Sequence, residues 1–234
     1  MRRLIVNADD LGLSAGVNRG IARAHEQGIV TSASLMVRAP HAPAAARYAR
    51  EHPALSVGLH VDLGEWHYTG EAWIAAYEVV PLDDPTAVEA EVAAQLARFE
   101  ALLGGPPTHL DSHQHVHREG PAHAVVLAHG RRLGVPVRDF AAGIRYEGGF
   151  YGQSGRGEPW PQGIAPEALC ALLRALPDGG TELGCHPGLG DESGSSYSRE
   201  RDAETAALCD PRVHATLREQ RIELCSFAEA ADVR

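Results

Sequence analysis

The segment 109–117 concentrates side chains that bind metals or transfer protons. It holds four imidazoles and one carboxylate in nine residues, namely His109, Asp111, His113, His115 and His117. Such a cluster is poor core material, so it favours metal binding or acid/base chemistry. In an extended chain the positions 111, 113, 115 and 117 share one side, whereas a helix would pair His113 with His117. The spacing leaves both geometries open.

Two adjacent aspartates and a lone histidine follow other strand-like segments. Asp9 and Asp10 come at the end of an apolar stretch, and adjacent carboxylates repel each other unless a cation or a proton lies between them. The alternative is a helix N-cap, although Ser14 already offers one. His60 lies within the apolar segment 56–63. A single histidine there is more often a core residue than a ligand.

An arginine and a further histidine complete the set of polar residues at strand ends. Arg138 can orient a carboxylate through two hydrogen bonds or form a salt bridge at the rim. His186 stands between a cysteine and a proline, which suits an acid/base role or a structural turn. The sequence decides neither between the two roles of Arg138 nor between the two roles of His186.

These residue types predict a hydrolytic metal site. One carboxylate and two imidazoles leave open positions on a divalent ion, which lowers the pKa of a bound water and polarises a carbonyl group. A second aspartate can accept the proton of the water, and a histidine can protonate the leaving nitrogen or oxygen. The expected reaction is amide or ester hydrolysis.

Short apolar segments alternate with amphipathic ones along the chain. Strands are predicted at 4–8, 31–37, 56–63, 108–112, 135–140, 181–186 and 221–227, with irregular stretches at 64–84 and 141–163. Helical patterns separate most of the strands, and Asp210 caps the last of them. The alternation predicts an α/β fold, a closed or nearly closed barrel of about seven parallel strands, with an open doubly wound sheet as the alternative. In such barrels the chemistry lies at the carboxyl ends of the strands.

Composition excludes several functions. Among 234 residues there are 21 basic and 31 acidic side chains, a formal net charge of −10, which argues against nucleic acid or an anionic membrane as partner. The chain has no lysine, which excludes Schiff-base chemistry. No signal-peptide core or long apolar run is present, so we expect a cytoplasmic protein. No obvious linker divides the sequence, so we expect one domain, 1–234. The oligomeric state stays open, a homodimer included.

Six motifs together resemble the YdjC/ChbG family of carbohydrate deacetylases. They are NADDLG at 7–12, TSASLMV at 31–37, GLHVDL at 58–63, THLDSHQHVH at 108–117, FYG at 150–152 and CHPG at 185–188. The resemblance implies a variant (β/α) barrel similar to that of the polysaccharide deacetylases. It also implies metal-dependent removal of N-acetyl groups from amino sugars or chito-oligosaccharides, with Mg²⁺ as the usual ion. Two imidazoles and one carboxylate suit Zn²⁺ or another transition metal better.

The resemblance also implies roles for individual residues. The implied metal ligands are Asp10, His60 and His113. The implied catalytic residues are Asp9 as the general base, His186 as the acid and Arg138, which would steer Asp9 or the substrate.

Other residues would surround this centre. The side chains expected to orient the imidazoles or contact the substrate are Asp111, His115 and His117. The aromatic side chains that would offer flat faces to a sugar ring are Phe150, Tyr151, Trp66, Trp73 and Trp160.

Two alternatives remain at this stage. The first is another metal-dependent barrel hydrolase, such as a phosphoesterase or a lactam-opening enzyme, for which the additional histidines His115 and His117 would help to hold a second ion. The second is a non-catalytic, metal-stabilised sugar-binding protein, in which Asp9 and His186 would have no required task.

Overall fold

A computed structural model describes residues 1–190, 194–195 and 197–231. The strands in this part are β1 (Arg2–Leu11), β2 (Ser32–Leu35), β3 (Ser56–Val61), β4 (Gly64–Tyr68), β5 (Trp73–Glu78), β6 (Leu110–Ser112), β7 (Ile144–Glu147), β8 (Gly179–Cys185) and β9 (Ile222–Leu224). The α-helices are α1 (Ala15–Glu26), α2 (Ala42–Glu51), α3 (Pro85–Leu103), α4 (Gly120–Leu133), α5 (Pro166–Ala175), α6 (Arg201–Leu208), α7 (Pro211–Glu219) and α8 (Phe227–Ala231). None of these helices has the length and apolar character needed to cross a membrane.

Seven strands form one curled parallel sheet. Their order is β6–β3–β2–β1–β8–β7, and β9 pairs with the first residues of β1. All pairs are parallel, so the carboxyl ends of the strands lie at one edge of the sheet. The predicted α/β barrel with about seven parallel strands is confirmed.

Six of the seven predicted strands coincide with strands of the sheet, and one prediction is wrong. The segment 135–140 forms no strand: Val137 makes a single bridge to Leu110, and the remaining strand of the sheet is β7 instead. Two features of the local backbone prevent a longer ladder. Pro136 has no N–H to donate, and Asp139 has a φ of 67°, which ends the extended geometry.

The stretch 64–84, expected to be irregular, contains an antiparallel hairpin of β4 and β5. Every residue of β5 is exposed. Its sequence therefore needs no alternation of apolar and polar residues, the pattern that identifies a half-buried strand, and it has none. The hairpin stands apart from the main sheet and carries Trp66, Tyr68 and Trp73. It forms a wall beside the carboxyl edge of the barrel.

Helix α1 holds the loop that follows β8. Ser14 caps α1, as predicted, and accepts a hydrogen bond from the backbone N–H of Val17. A Cβ atom on Gly20 would lie 2.3 Å from the Cα of Gly188, so only glycine allows this close approach. The N–H of Leu189 also donates to the carbonyl of Gly16. The segment that carries His186 is thereby fixed against the barrel.

Candidate metal centre

The carboxyl edge of the sheet gathers polar residues that are far apart in sequence. Asp9 and Asp10 lie near the end of β1, His60 in β3 and Asp111 in β6, and all four are buried. Strands β3 and β6 pair with His60 opposite Asp111. Parallel pairing therefore places these side chains beside one another.

Asp10, His60 and His113 form a group that could hold a metal ion. One donor atom of each lies within 4.8 Å of the other two. The Oδ1 atom of Asp10 is 3.4 Å from Nε2 of His60 and 3.1 Å from Nδ1 of His113. Asp10 has a φ of 65°, a costly conformation for a residue with a side chain. The backbone is strained at the point where this carboxylate turns toward the two imidazoles.

The buried charges of this group favour a cation. Burial opposes ionisation of Asp10, but the guanidinium of Arg201, 2.7 Å away, holds the pKa of Asp10 well below its ordinary value. Against the effect of burial, Asp111 and Asp10 hold the pKa of His60 well above its usual range. Asp10 and Glu65 likewise raise the pKa of His113 to about 9. The carboxylates around these two imidazoles thus favour positive charge at this point, and a divalent cation would supply it.

Asp111 fixes the orientation of His60. Its Oδ1 atom lies 2.8 Å from Nδ1 of His60, which leaves Nε2 directed at Asp10. The Oδ2 atom of Asp111 accepts a hydrogen bond from Ser34 at 2.6 Å. A carboxylate behind a histidine is the usual arrangement around a metal-binding imidazole.

Arg138 is buried and binds Asp9 through two hydrogen bonds, at 2.6 and 2.7 Å. Of the two geometries open in the sequence, the structure has the bidentate one. The same guanidinium contacts Asp111 at 2.8 Å and Glu182 at 2.7 Å. Burial opposes the charge on Asp9, but Arg138 lowers its pKa below the ordinary value. Asp9 is thus an ionised carboxylate held in one orientation beside Asp10.

His186 follows β8 and faces Asp9. Its Nε2 atom lies 3.8 Å from Oδ2 of Asp9, and its backbone N–H donates to Glu204 at 2.5 Å. The rings of Tyr151 and Tyr197 lie within 5.4 and 5.1 Å of the imidazole. Burial lowers the pKa of His186 to about 4, so the imidazole is neutral near pH 7.

Of the extended and helical geometries that the spacing leaves open after Asp111, the structure has a helical one. Beyond Ser112 the chain enters a short 3-10 helix, His113–Arg118, in which Gln114 and His115 have left-handed φ values of 49° and 55°. His109 stacks on Phe227, and its Nε2 atom lies 3.0 Å from the hydroxyl of Ser34. This tight turn separates the imidazoles.

The other histidines of this segment differ in their access to solvent. His115 lines the cleft above the site and lies near Tyr146. His117 is fully buried and interacts with Ser112 and the carbonyl of Arg138. His117 is therefore in no position to contact a substrate.

Several charged residues of the site were missed by sequence reasoning. Arg201 comes from α6, Glu65 from the hairpin, and Glu182 and Glu204 from β8 and α6. Glu182 precedes the strand end by several residues, and the other three lie outside the main sheet. None of the four lies at the end of a predicted strand, so the pattern of polar residues at strand ends does not reveal them.

A cleft of about 1160 Å³ opens above Asp9, Asp10 and His186. Aromatic residues of the hairpin, Trp66, Tyr68 and Trp73, line one part of it, and Tyr151 and Phe150 also line it. Trp160 is exposed but is not among the lining residues. Four of the five aromatic residues singled out in the sequence thus border the cleft.

Known proteins match the chain over nearly its whole length. A carbohydrate deacetylase of Geobacillus stearothermophilus is 36% identical over 256 residues, spanning 97% of the chain and 98% of the relative. A chitooligosaccharide deacetylase of Serratia marcescens is 32% identical over 265 residues, with the same coverage of 97% and 98%. A crystal structure from Enterococcus faecalis, described provisionally as a cellobiose-phosphate cleavage protein, has 25% identity, a TM-score of 0.80 and 98% coverage of both chains.

A more distant solved structure has a similar fold. A family 4 acetyl xylan esterase of Clostridium thermocellum, solved with a cobalt ion, has a TM-score of 0.54 at 12% identity, with 97% of this chain and 89% of that chain covered. The chain thus has the fold of a parallel α/β barrel, with an Asp/His group at the carboxyl edge of the sheet.

The model of the YdjC-like protein family matches residues 3–219, and the chain belongs to this family. The resemblance predicted from the motifs is confirmed, as is the prediction of an enzyme of the carbohydrate deacetylase family.

Proposed function

We propose that the protein removes N-acetyl groups from amino sugars or chito-oligosaccharides with one divalent metal ion held by Asp10, His60 and His113. The observation that carries the proposal is the convergence of these three side chains, with donor atoms within 4.8 Å, directly beside the Asp9–Arg138 pair. The names of the relatives support the choice of substrate class.

The donor set fits one ion rather than two. A second group of potential ligands, Asp9, His60 and Asp111, lies alongside the first. Both of its carboxylates already contact the guanidinium of Arg138. A second cation there would have to displace a fully buried guanidinium, which is costly. The phosphoesterase alternative, which needs a second ion, therefore lacks structural support within the described residues.

The ion, when bound, polarises the acetyl carbonyl and lowers the pKa of water. The residues of the chain supply the remaining chemistry. Asp9 is ionised and is held by Arg138, so a carboxylate oxygen can accept a proton without reorienting. Arg138 keeps this base fixed at the floor of the cleft.

His186 completes the proton transfer in this proposal. Because its pKa is lowered to about 4, the imidazole is neutral at rest and must gain a proton before it can act as an acid. Oδ2 of Asp9 faces Nε2 of His186 at 3.8 Å. We assign Asp9 as the group that accepts the proton and His186 as the group that delivers it to the leaving nitrogen.

The cleft suits a carbohydrate. Its volume of about 1160 Å³ exceeds what a single monosaccharide ring requires, and Trp66, Tyr68 and Trp73 offer flat apolar faces.

The donor set is better suited to zinc, cobalt or nickel than to the Mg²⁺ that the family resemblance implies, because imidazoles are not preferred magnesium ligands.

The test is acetate release from a panel of N-acetylated mono- and disaccharides by metal-free protein to which Mg²⁺, Zn²⁺ or Co²⁺ has been restored. We expect release from at least one N-acetyl amino sugar, with a transition metal more effective than Mg²⁺. Absence of acetate with every sugar and every ion, in protein that binds metal, would overturn the proposal.

A further inference from the structure

The β4–β5 hairpin is connected to the candidate metal centre through Gln114. The backbone N–H of Trp66 donates to Oε1 of Gln114 at 2.9 Å, and Nε2 of Gln114 donates to the carbonyl of Trp66 at 2.8 Å. The side-chain amide therefore pairs with β4 as a neighbouring strand would. Gln114 directly follows His113 and has a left-handed φ of 49°. Such a conformation is strained and persists only where surrounding contacts enforce it.

The residue before Trp66 faces the metal centre. Oε2 of Glu65 lies 3.6 Å from Nε2 of His113. In the described part of the chain, this buried nitrogen has no hydrogen-bond partner. A small adjustment of the Glu65 side chain would bring the carboxylate within hydrogen-bond distance of it.

The two imidazoles of the centre present different nitrogens to Asp10. His60 directs Nε2 at Asp10, because its Nδ1 faces Asp111. His113 directs Nδ1 at Asp10, and its Nε2 faces Glu65. In each ring, the nitrogen away from Asp10 faces a carboxylate. The hydrogen bond made by one nitrogen determines which nitrogen is free to bind a metal.

We propose that Glu65 is a positioning residue that keeps a proton on Nε2 of His113 and thereby commits Nδ1 to the metal ion. The inference rests on the proposed metal site. It makes the hairpin part of the metal centre as well as a wall of the cleft, with Gln114 holding Glu65 in place. Glu65 corresponds in role to Asp111 on the other imidazole.

The experiment compares Zn²⁺ affinity, measured by competition with a chromogenic chelator, among variants of the full chain. For Glu65→Ala we expect a 10- to 100-fold loss, the usual effect of removing such a partner. Glu65→Gln keeps an oxygen that accepts a hydrogen bond, so its loss should stay within about threefold. The matched control is Glu71→Ala, which changes an exposed glutamate at the turn of the same hairpin. It should bind Zn²⁺ like the wild type.

A second readout identifies the ligand atom. Long-range ¹H–¹⁵N NMR correlations of the Zn²⁺-loaded protein should show the proton of His113 on Nε2. Wild-type affinity in Glu65→Ala, equal losses in the Ala and Gln variants, or a proton on Nδ1 would overturn the inference. His113→Ala separates the two proposals. If it loses Zn²⁺ while Glu65→Ala does not, only the role of Glu65 fails, whereas Zn²⁺ retained by His113→Ala overturns the metal site itself.

Discussion

Arg138 binds both carboxylate oxygens of Asp9, at 2.6 and 2.7 Å, in a buried pair that connects β1 with the segment after α4. This contact occupies both oxygens of one of two adjacent aspartates, while Asp10 turns toward His60 and His113. The two neighbouring carboxylates thereby have different surroundings. Different partners, Arg138 and Arg201, account for the difference.

Asp9→Asn tests the assignment of the general base. The amide cannot accept the proton, so we expect kcat to fall by about 10²- to 10⁴-fold. Metal stoichiometry should not change, because Asp9 is outside the proposed ligand set. Acetate release and metal analysis on the same preparation measure both quantities. Retained turnover would show that another group accepts the proton.

Arg138→Lys tests how far the site depends on the guanidinium. Lysine keeps the charge but cannot contact Asp9, Asp111 and Glu182 in the same geometry. The free energy of unfolding should fall by about 3 kcal/mol, the scale of disrupting a buried ion pair. Urea denaturation measures it. The control Arg212→Lys changes an exposed ion pair and should have little effect. Equal effects of both variants would contradict the account.

Trp73→Ala tests the contribution of the hairpin to sugar binding. Trp73 lines the cleft and is 56% exposed, so its ring face is available to a ligand. We expect KM for an N-acetylated disaccharide to rise about tenfold, the equivalent of one aromatic contact, with kcat nearly unchanged. Trp160→Ala is the matched control, because Trp160 is 50% exposed but does not line the cleft. A similar KM in both variants would exclude the hairpin as a sugar-binding wall.

Glu204→Gln tests the electrostatics beneath His186 through protein stability. Burial raises the pKa of Glu204 from 4.5 to about 7. A carboxyl group whose pKa is raised by folding stabilises the fold fully below pH 4.5 and loses that contribution as pH rises through 7. Relative to Glu204→Gln, the wild type should therefore lose on the order of 3 kcal/mol of unfolding free energy between about pH 4 and pH 8. Urea denaturation across this range measures the difference. A difference that does not vary with pH would contradict the assigned environment.

The sequence predicted the centre of the site because parallel strands place their carboxyl ends at one edge. Asp10 and His60 could be found in this way, since each lies at the end of an apolar strand. His113 was found because its segment is rich in histidine, but the residues that surround it were not predicted. In the left-handed turn at Gln114 and His115, the side chain of Gln114 bonds to the hairpin, a contact that no local propensity encodes.

Contacts that reach the site from outside the main sheet could not be predicted from the sequence. Arg201 lies in a helix 191 positions from Asp10, and nothing in its local pattern distinguishes it from a surface arginine. The hairpin was missed because β5 is exposed throughout and its sequence lacks the alternation of apolar and polar residues. The apolar residues around Val137 predict a strand, but the backbone of Asp139 ends the pairing after one bridge.

The central claim is that Asp10, His60 and His113 hold one divalent ion. Elemental analysis of the purified wild type and of Asp10→Asn, His60→Ala and His113→Ala, each confirmed as folded by circular dichroism, measures it most directly. The account predicts one transition-metal ion per wild-type chain and a large loss of metal in each variant. Unchanged metal content in any folded variant would contradict it.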